Sequence, residues 1–436
     1  MNVPPHTPLL IVSARIIDPA SGHDRVGDLY VVDGRFAPVP SSLPSNTRRV
    51  DGRGLVATPG LWDIHVHFRD PGAAAAETLA SGAAAAAASG FTTVVTMPNT
   101  SPACDTPAWI QYQTDPALPV TVRPAACITR GRTGDTPADL ESLAAAGAAA
   151  FTDDGAMVAD DAVMAEAMRR IRPLNRIVMD HAVVPSLAGP GVIRDCSVAR
   201  RFHLPLFPPE AETEAVARDI RLCRETGCAV HIQHLSCAGA VALIRAAQAE
   251  GLPVSAEVSP HHLALAAEDI PGDDGNYRMN PPLGNRADVD MLRQAVRDGV
   301  IAVLATDHAP HAAAAKAHGF QKAAFGVIGL ETALGVTYTT LVSGLGMPLL
   351  DFIARWTTGP ASVLRMPAPG LTAGHTADLA LLDLVTPWQV DPDRFRSRAR
   401  NCPFVGKTLV GRAVLTVSRG RVVHDDTRLP PLGTRP

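Results

Sequence analysis

The chain shows two different patterns of apolar and polar positions. Between about residue 58 and residue 306, short apolar runs of strand length alternate with amphipathic stretches of helical length, a pattern typical of βα units with a parallel sheet. The apolar runs predict eight strands, at 60–66, 91–97, 119–127, 147–152, 176–181, 228–234, 253–259 and 300–306. The stretches between them predict helices at 77–89, 105–113, 137–146, 160–171, 211–226, 238–250 and 286–298.

Eight such units predict an α/β protein built on a (β/α)8 barrel. The N-terminal and C-terminal parts of the chain have a different pattern. There, short runs that are apolar, or that alternate apolar and polar residues, lie between Gly and Asp turns. These runs lie at 10–12, 28–32, 377–382, 413–417 and 421–423. We expect them to pair in one small β-sandwich built from both termini. The predicted boundaries are 1–57 and 369–436 for the two parts of the sandwich and 58–368 for the barrel.

Composition excludes several classes of protein. A net charge near −4 gives no electrostatic case for binding nucleic acid. No apolar run reaches the roughly 18 residues that a membrane-spanning helix needs. The N-terminus has no basic region followed by a long apolar core, so we expect no signal peptide. Seven scattered cysteines without a CxxC pair suit reduced thiols, which predicts a cytoplasmic protein.

Histidines and aspartates cluster where the predicted strands end. They are His65 and His67 on strand one, Asp153 and Asp154 after strand four, His181 on strand five, His234 on strand six, His261 and His262 after strand seven, and Asp307 and His308 on strand eight. Barrel enzymes place their active sites at this end of the strands. Imidazole and carboxylate ligands suit zinc or a similar divalent ion. The sequence therefore predicts a metal site at this rim.

Each of these residues also has a structural interpretation. Asp307 could be an ordinary helix N-cap. His231 and His234 are three positions apart on a strand, so only one of them can face the site. The same limit applies to the His261–His262 pair and to Asp153–Asp154. The convergence of so many candidates at one end of the barrel favours the metal site over the separate structural roles.

Nine segments carry a family resemblance that covers nearly the whole chain. They are 63–72, 96–100, 151–155, 180–181, 231–236, 257–263, 279–283, 305–311 and 325–332. The combination of HVHFRDPG at 65–72 with TDHAPH at 306–311 is the most specific. With these motifs the chain resembles the amidohydrolase superfamily and, within it, the dihydroorotases of the long bacterial type.

The resemblance implies a role for each candidate ligand. His65, His67 and Asp307 would hold the more buried zinc ion, and His181 and His234 the second, if both are present. Asp154 would bridge the two ions, and Asp307 would also act as the general acid and base. Many relatives bridge their ions with a carboxylated lysine, but the only lysines here are at 316, 322 and 407. A bridge from Asp or Glu is therefore expected.

The resemblance also implies the substrate and its contacts. The reaction would be the reversible cyclisation of N-carbamoyl-L-aspartate to L-dihydroorotate in pyrimidine synthesis. Arg69, Asn99 and His311 would hold the substrate carboxylate, for which a guanidinium offers bidentate geometry. Asn280 would bind the pyrimidine ring. Residues 308–326, called the lid segment below, would form a mobile lid that carries His311.

Two alternatives stay open at this point. A dihydropyrimidinase, hydantoinase or allantoinase would share the fold, although those enzymes normally need the carboxylated lysine. A catalytically silent homologue would serve as a scaffold for aspartate transcarbamoylase, although such relatives lose metal ligands and this chain keeps all six expected positions. We expect a homodimer that acts on a small molecule, with aspartate transcarbamoylase as a candidate partner.

Overall fold

A computed structural model describes residues 7–427. Its strands are β1 Leu9–Asp18, β2 His23–Val32, β3 Arg35–Ala37, β4 Arg48–Asp51, β5 Val56–Pro59, β6 Leu61–Val66, β7 Phe91–Thr96, β8 Thr121–Pro124, β9 Val178–Asp180, β10 Val230–Ile232, β11 Val254–Val258, β12 Val303–Leu304, β13 Leu379–Gln389, β14 Thr408–Ser418 and β15 Arg421–Asp425. Its α-helices are α1 Leu79–Ala88, α2 Pro107–Gln113, α3 Leu140–Ala145, α4 Asp161–Ile171, α5 Pro185–Ala188, α6 Ser197–Phe202, α7 Glu210–Thr226, α8 Ala238–Ala249, α9 Pro260–Ala264, α10 Arg286–Asp298, α11 Ala313–Lys316, α12 Gly319–Lys322, α13 Leu330–Thr337, α14 Leu349–Arg355 and α15 Thr358–Val363.

The central strands form a closed parallel barrel. Strands β6–β8 pair in parallel, and so do β9–β12. Phe151 joins the two groups through parallel bridges to Ala126 and Val178, and a bridge from Val66 to His308 closes the ring. The predicted (β/α)8 barrel is thus confirmed. Its fourth strand is shorter than predicted, because only Phe151 pairs with both neighbours.

The barrel strands are apolar because both of their faces are buried. Every residue of β6 and β7 is buried. Their buried side chains form two hydrophobic clusters. The smaller one includes Ile64, Val95 and Met179, and the larger one is formed by the strands with the surrounding helices. Helix α1 is rich in alanine, and its buried Ala83, Ala86 and Ala87 belong to that larger cluster.

The N-terminal and C-terminal strands of the described residues meet in one sheet beside the barrel. Its strand order is β15-β14-β13-β5-β1-β2-β3, with β4 paired to β1. The link between the termini is antiparallel, from Leu379–Leu382 on β13 to Val56–Pro59 on β5. Ile11, Phe36 and Leu415 belong to a separate apolar cluster here. The β-sandwich domain built from both termini is confirmed, and the exact boundaries at 57 and 368 stay a prediction.

Two long connections follow barrel strands. Residues 183–210 contain α5 and α6, and the lid segment contains α11 and α12. Within residues 7–427, no helix is long and apolar enough to cross a membrane.

Candidate metal centre

Five of the six predicted ligands form two clusters that share one carboxylate. His65, His67 and Asp154 bring ligand atoms within 4.8 Å of one another, and Asp154, His181 and His234 do the same. All five side chains are buried. The shared Asp154 has the position that a bridging ligand would need between two ions.

Asp307, the sixth predicted ligand, faces the first cluster. Its Oδ1 lies 3.2 Å from Nε2 of His67 and 3.6 Å from Nε2 of His65. Its backbone is left-handed, with φ at 48°, and so is that of His234, with φ at 33°. Non-glycine residues rarely adopt this conformation, and it costs free energy that surrounding structure must offset. Both residues come just after a barrel strand.

The hydrogen bonds of Asp153 show which of the two adjacent aspartates, Asp153 or Asp154, faces the site. The carboxylate of Asp153 accepts from the backbone of Ile128 at 2.9 Å and of Thr129 at 3.2 Å, and from the hydroxyl of Thr129. It therefore ties the end of the fourth strand to the loop after the third. Asp154 points into the site, where Asn99 donates to its Oδ2 at 3.0 Å.

The donor set suits a divalent cation. Nε2 of His65 and Oδ1 of Asp154 are buried, lack hydrogen-bond partners and lie 3.3 Å apart. Nδ1 of His181 lies 2.8 Å from Nε2 of His234. Buried nitrogen and oxygen atoms that converge without partners are costly unless a cation satisfies them. These residues can hold one or two metal ions.

Charge at the centre supports the same conclusion. Burial lowers the pKa of His234 well below its usual value, as do the neighbouring imidazoles of His181 and His65, and the neutral ring is the form that ligates a metal. Burial would raise the pKa of Asp154, but nearby His65 and His67 outweigh it, so its pKa lies well below the usual range. Asp154 is thus ionised, which is the form in which a carboxylate ligates a metal.

A second layer of side chains orients the ligands, a role that the sequence analysis did not predict for any of them. Nδ1 of His65 lies 2.6 Å from Oε1 of Glu257, and His231 lies 3.1 Å from the other oxygen of this carboxylate. His67 donates from Nδ1 to Oδ1 of Asn99 at 2.9 Å. These bonds leave Nε2 of His65 and of His67 to face the site. Two signals for Glu257 were present in the sequence: it begins the family segment 257–263, and it is an acid inside an apolar strand, where an unpaired charge is expensive.

Three of the rim histidines lie outside the two clusters. His262 donates from Nε2 to the carbonyl of Pro281 at 3.0 Å. His308 accepts from the backbone of Gly329 at 3.2 Å and lies 3.3 Å from Glu77. His261 is buried, and the centre of its ring lies 4.5 Å from that of His262. Position at a strand end was therefore not sufficient to identify a ligand.

The predicted substrate residues border the same cavity as the ligands. This cavity has a volume of about 350 Å³, and nine of the ten predicted site residues line it: His67, Arg69, Asn99, Asp154, His181, His234, Asn280, Asp307 and His311. His65 lies below them, fully buried. Arg69, Asn99, Asn280 and His311 are partly exposed, whereas the six predicted ligands are buried. The ligands thus form the floor and the other four the upper wall.

The wall residues already have partners. Arg69 donates from Nε to the carbonyl of Pro310 at 3.4 Å, and Asn280 lies 3.0 Å from Nε2 of His181. His311 donates from Nε2 to the carbonyl of Phe325 at 2.5 Å. Burial and nearby Arg69 lower the pKa of His311 to about 4, so its ring is neutral at neutral pH. Arg132, which was not predicted, donates to the carbonyls of both Asp153 and Asp154 and so holds the backbone at Asp154.

Comparison with known proteins shows which family the chain belongs to. A dihydroorotase from Pelotomaculum thermopropionicum is 41% identical over 421 residues, which cover 96% of this chain and 99% of that one. The chain belongs to the dihydroorotase family. A dihydroorotase from Bacillus caldolyticus is 42% identical over 390 residues, covering 88% and 91% of the two chains. The family model described as dihydro-orotase-like matches residues 54–239.

Solved structures of related folds extend the comparison. An L-hydantoinase from Arthrobacter aurescens superposes with a TM-score of 0.83 at 26% identity, covering 96% of each chain. A D-hydantoinase from Thermus sp. superposes with a TM-score of 0.81 at 23% identity, which shows the fold alone. Dihydroorotases and hydantoinases thus share one architecture, and the residues at the cavity must decide between their substrates.

Proposed function

We propose that the chain catalyses the reversible, zinc-dependent cyclisation of N-carbamoyl-L-aspartate to L-dihydroorotate. The observation that carries this proposal is one cavity with two ligand clusters that share Asp154 on its floor and the guanidinium of Arg69 in its wall. The clusters suit hydrolytic chemistry on an amide, and the guanidinium suits a substrate with a carboxylate. L-dihydroorotate has both features.

In this proposal the six ligands divide between two zinc sites. His65, His67 and Asp307 would hold one, His181 and His234 would hold the other, and Asp154 would serve both. Zinc there would supply a Lewis acid and would lower the pKa of a bound water to about 7. An aspartate is expected in the shared position because the chain has no lysine before position 316.

In this proposal, residues of the chain bind the substrate and transfer a proton from the attacking water to the leaving nitrogen. In the hydrolytic direction, water oxygen adds to the ring carbonyl carbon, the ring C–N bond breaks, and the proton passes through the carboxylate of Asp307 to the leaving nitrogen. Cyclisation is the reverse, with loss of water. Arg69 pairs with the substrate carboxylate, Asn99 donates to it, and Asn280 hydrogen-bonds the ring. His311 would donate to the carboxylate from Nε2 in place of the carbonyl of Phe325, since its neutral ring has one N–H.

A turnover assay tests the proposal. Purified protein is given L-dihydroorotate or N-carbamoyl-L-aspartate, with and without added zinc, and interconversion is followed in both directions. We expect turnover in both directions that a chelator removes and zinc restores. Asp307→Asn is the matched variant because Asn also tolerates a positive φ; its kcat should fall by about 100-fold or more. A kcat near that of the wild type would contradict the role of Asp307.

A hydantoinase-type activity is the alternative that the solved structures bring forward. Hydantoin and dihydrouracil, which have no carboxylate, belong in the same assay. Preference for them over L-dihydroorotate would replace the proposed substrate. We also propose a homodimer that associates with aspartate transcarbamoylase, which sedimentation analysis of the protein alone and with the transcarbamoylase would test.

A further inference from the structure

Lysine is rare in this chain, and one of its three lysines is buried. Lys316 is 8% exposed, whereas Lys322 and Lys407 are exposed. The chain has 39 lysines and arginines in total, and all but these three are arginine. A buried lysine in such an arginine-rich chain suggests a structural role for which an ammonium group is better suited than a guanidinium group.

The ammonium of Lys316 is held by backbone oxygens. Nζ donates to the carbonyls of Ala324 at 2.7 Å, Gly326 at 2.8 Å and Arg278 at 3.2 Å. Three donors on a compact group match three converging acceptors, whereas a guanidinium is planar and larger. Burial and the charge of Arg278 lower the pKa of Lys316 to about 7, so the contact is costly to maintain.

Two of these three carbonyls, those of Ala324 and Gly326, belong to backbone that borders the cavity with the predicted site residues. Ala324, Phe325 and Gly326 line the cavity, and the carbonyl of Phe325 accepts from His311. The guanidinium of Arg278 lies 4.0 Å from the centre of the Phe325 ring and donates to the carbonyl of Ala323. Lys316 thus fastens the end of the lid segment to the stretch that leads to Asn280.

We propose that Lys316 is a positioning residue for substrate binding, whose three hydrogen bonds hold the lid segment so that His311 and Phe325 border the cavity. It does not touch the substrate in this scheme. The inference rests on the proposed function, because His311 is there a contact of the substrate carboxylate. Loss of Lys316 should therefore weaken substrate binding more than it slows the chemical step.

The test compares matched lysine variants. In Lys316→Met and Lys316→Arg, we expect KM for L-dihydroorotate to rise about tenfold while kcat changes much less. Lys322→Met, the same change at an exposed position of the lid segment, should leave both constants unchanged. In a His311→Ala background, Lys316→Met should raise KM by a smaller factor, because the two residues act together. A KM unchanged by Lys316→Met, or full function with Arg, would overturn the proposal.

A second measurement does not depend on turnover. Amide hydrogen exchange of residues 312–326 should be faster in Lys316→Met than in the wild type and in Lys322→Met. If Lys316→Met does not fold, Lys316→Gln, which keeps two donors, decides by the same two measurements. Wild-type protein that cannot turn over L-dihydroorotate would refute the proposed function alone. Unchanged exchange in a folded variant would refute the role of Lys316.

Discussion

Nδ1 of His65 lies 2.6 Å from Oε1 of Glu257 beneath the cavity floor, where both side chains are buried. The carboxylate fixes the direction of the ring, so that Nε2 faces Asp154. Burial would raise the pKa of Glu257, but His65 and His231 outweigh it and lower the pKa to about 2. Glu257 is therefore ionised at neutral pH.

Glu257→Gln should weaken metal binding without removing a ligand. The amide keeps the shape of the side chain and loses the charge that holds His65. Partners of this kind typically change metal affinity by about 10- to 100-fold. Competition with a chromophoric chelator measures the affinity for zinc. Glu331→Gln is the control, since this carboxylate is bonded to the backbone of Arg396 and Ser397. Equal affinities in both variants would contradict the role of Glu257.

Asp153 and Asp154 should respond differently to the same change. Asp154→Asn should lower zinc content and activity with little effect on the melting temperature of the metal-free protein. Asp153→Asn should lower that melting temperature, because its carboxylate satisfies donors of Ile128 and Thr129; leaving buried donors unpaired costs about 1–3 kcal/mol. Zinc analysis and thermal unfolding of both variants check this. If Asp153→Asn lowered zinc content and Asp154→Asn lowered the melting temperature, Asp153 would be the ligand and Asp154 the structural residue.

Arg69→Met should impair binding of carboxylate substrates. Removing one partner of a charged contact costs about 2–5 kcal/mol at most, so KM for L-dihydroorotate should rise strongly. The kcat/KM for dihydrouracil, which lacks the carboxylate, should change little. Arg69→Lys retains the charge without the bidentate geometry and should be intermediate. An equal loss on both substrates would show that Arg69 does not recognise the carboxylate.

His262 should make the fold sensitive to acid. Burial lowers its pKa from 6.5 to about 4, so the unfolded chain binds a proton between these values and the folded chain does not. Stability contributed by the neutral ring is complete above pH 6.5 and declines as pH falls toward 4, by about 3 kcal/mol in all. Unfolding of His262→Gln should therefore show a shallower decline than wild type across this range. His375→Gln, at an exposed position, should follow the wild type.

The local pattern of the chain was sufficient to predict most of its elements. Helix α10 was predicted at 286–298 and occupies those residues, and α4 was predicted at 160–171 and begins one residue later. Periodicity is a local property that a single segment carries. The fourth barrel strand was overestimated, because pairing depends on both neighbouring strands and only Phe151 meets them.

The sequence by itself determined the barrel, its accompanying sheet and the set of candidate ligands, because period and chain order fix which residues end each strand. It also favoured an acidic bridging ligand over a carboxylated lysine, since the chain has no lysine before position 316. Tertiary structure decided which member of each adjacent pair faces the cavity, as with Asp154 over Asp153. It alone revealed Glu257 behind His65 and the contacts of the buried Lys316 within the lid segment. Those contacts join residues far apart in the chain, or depend on the path of a loop, and neither is encoded in local periodicity.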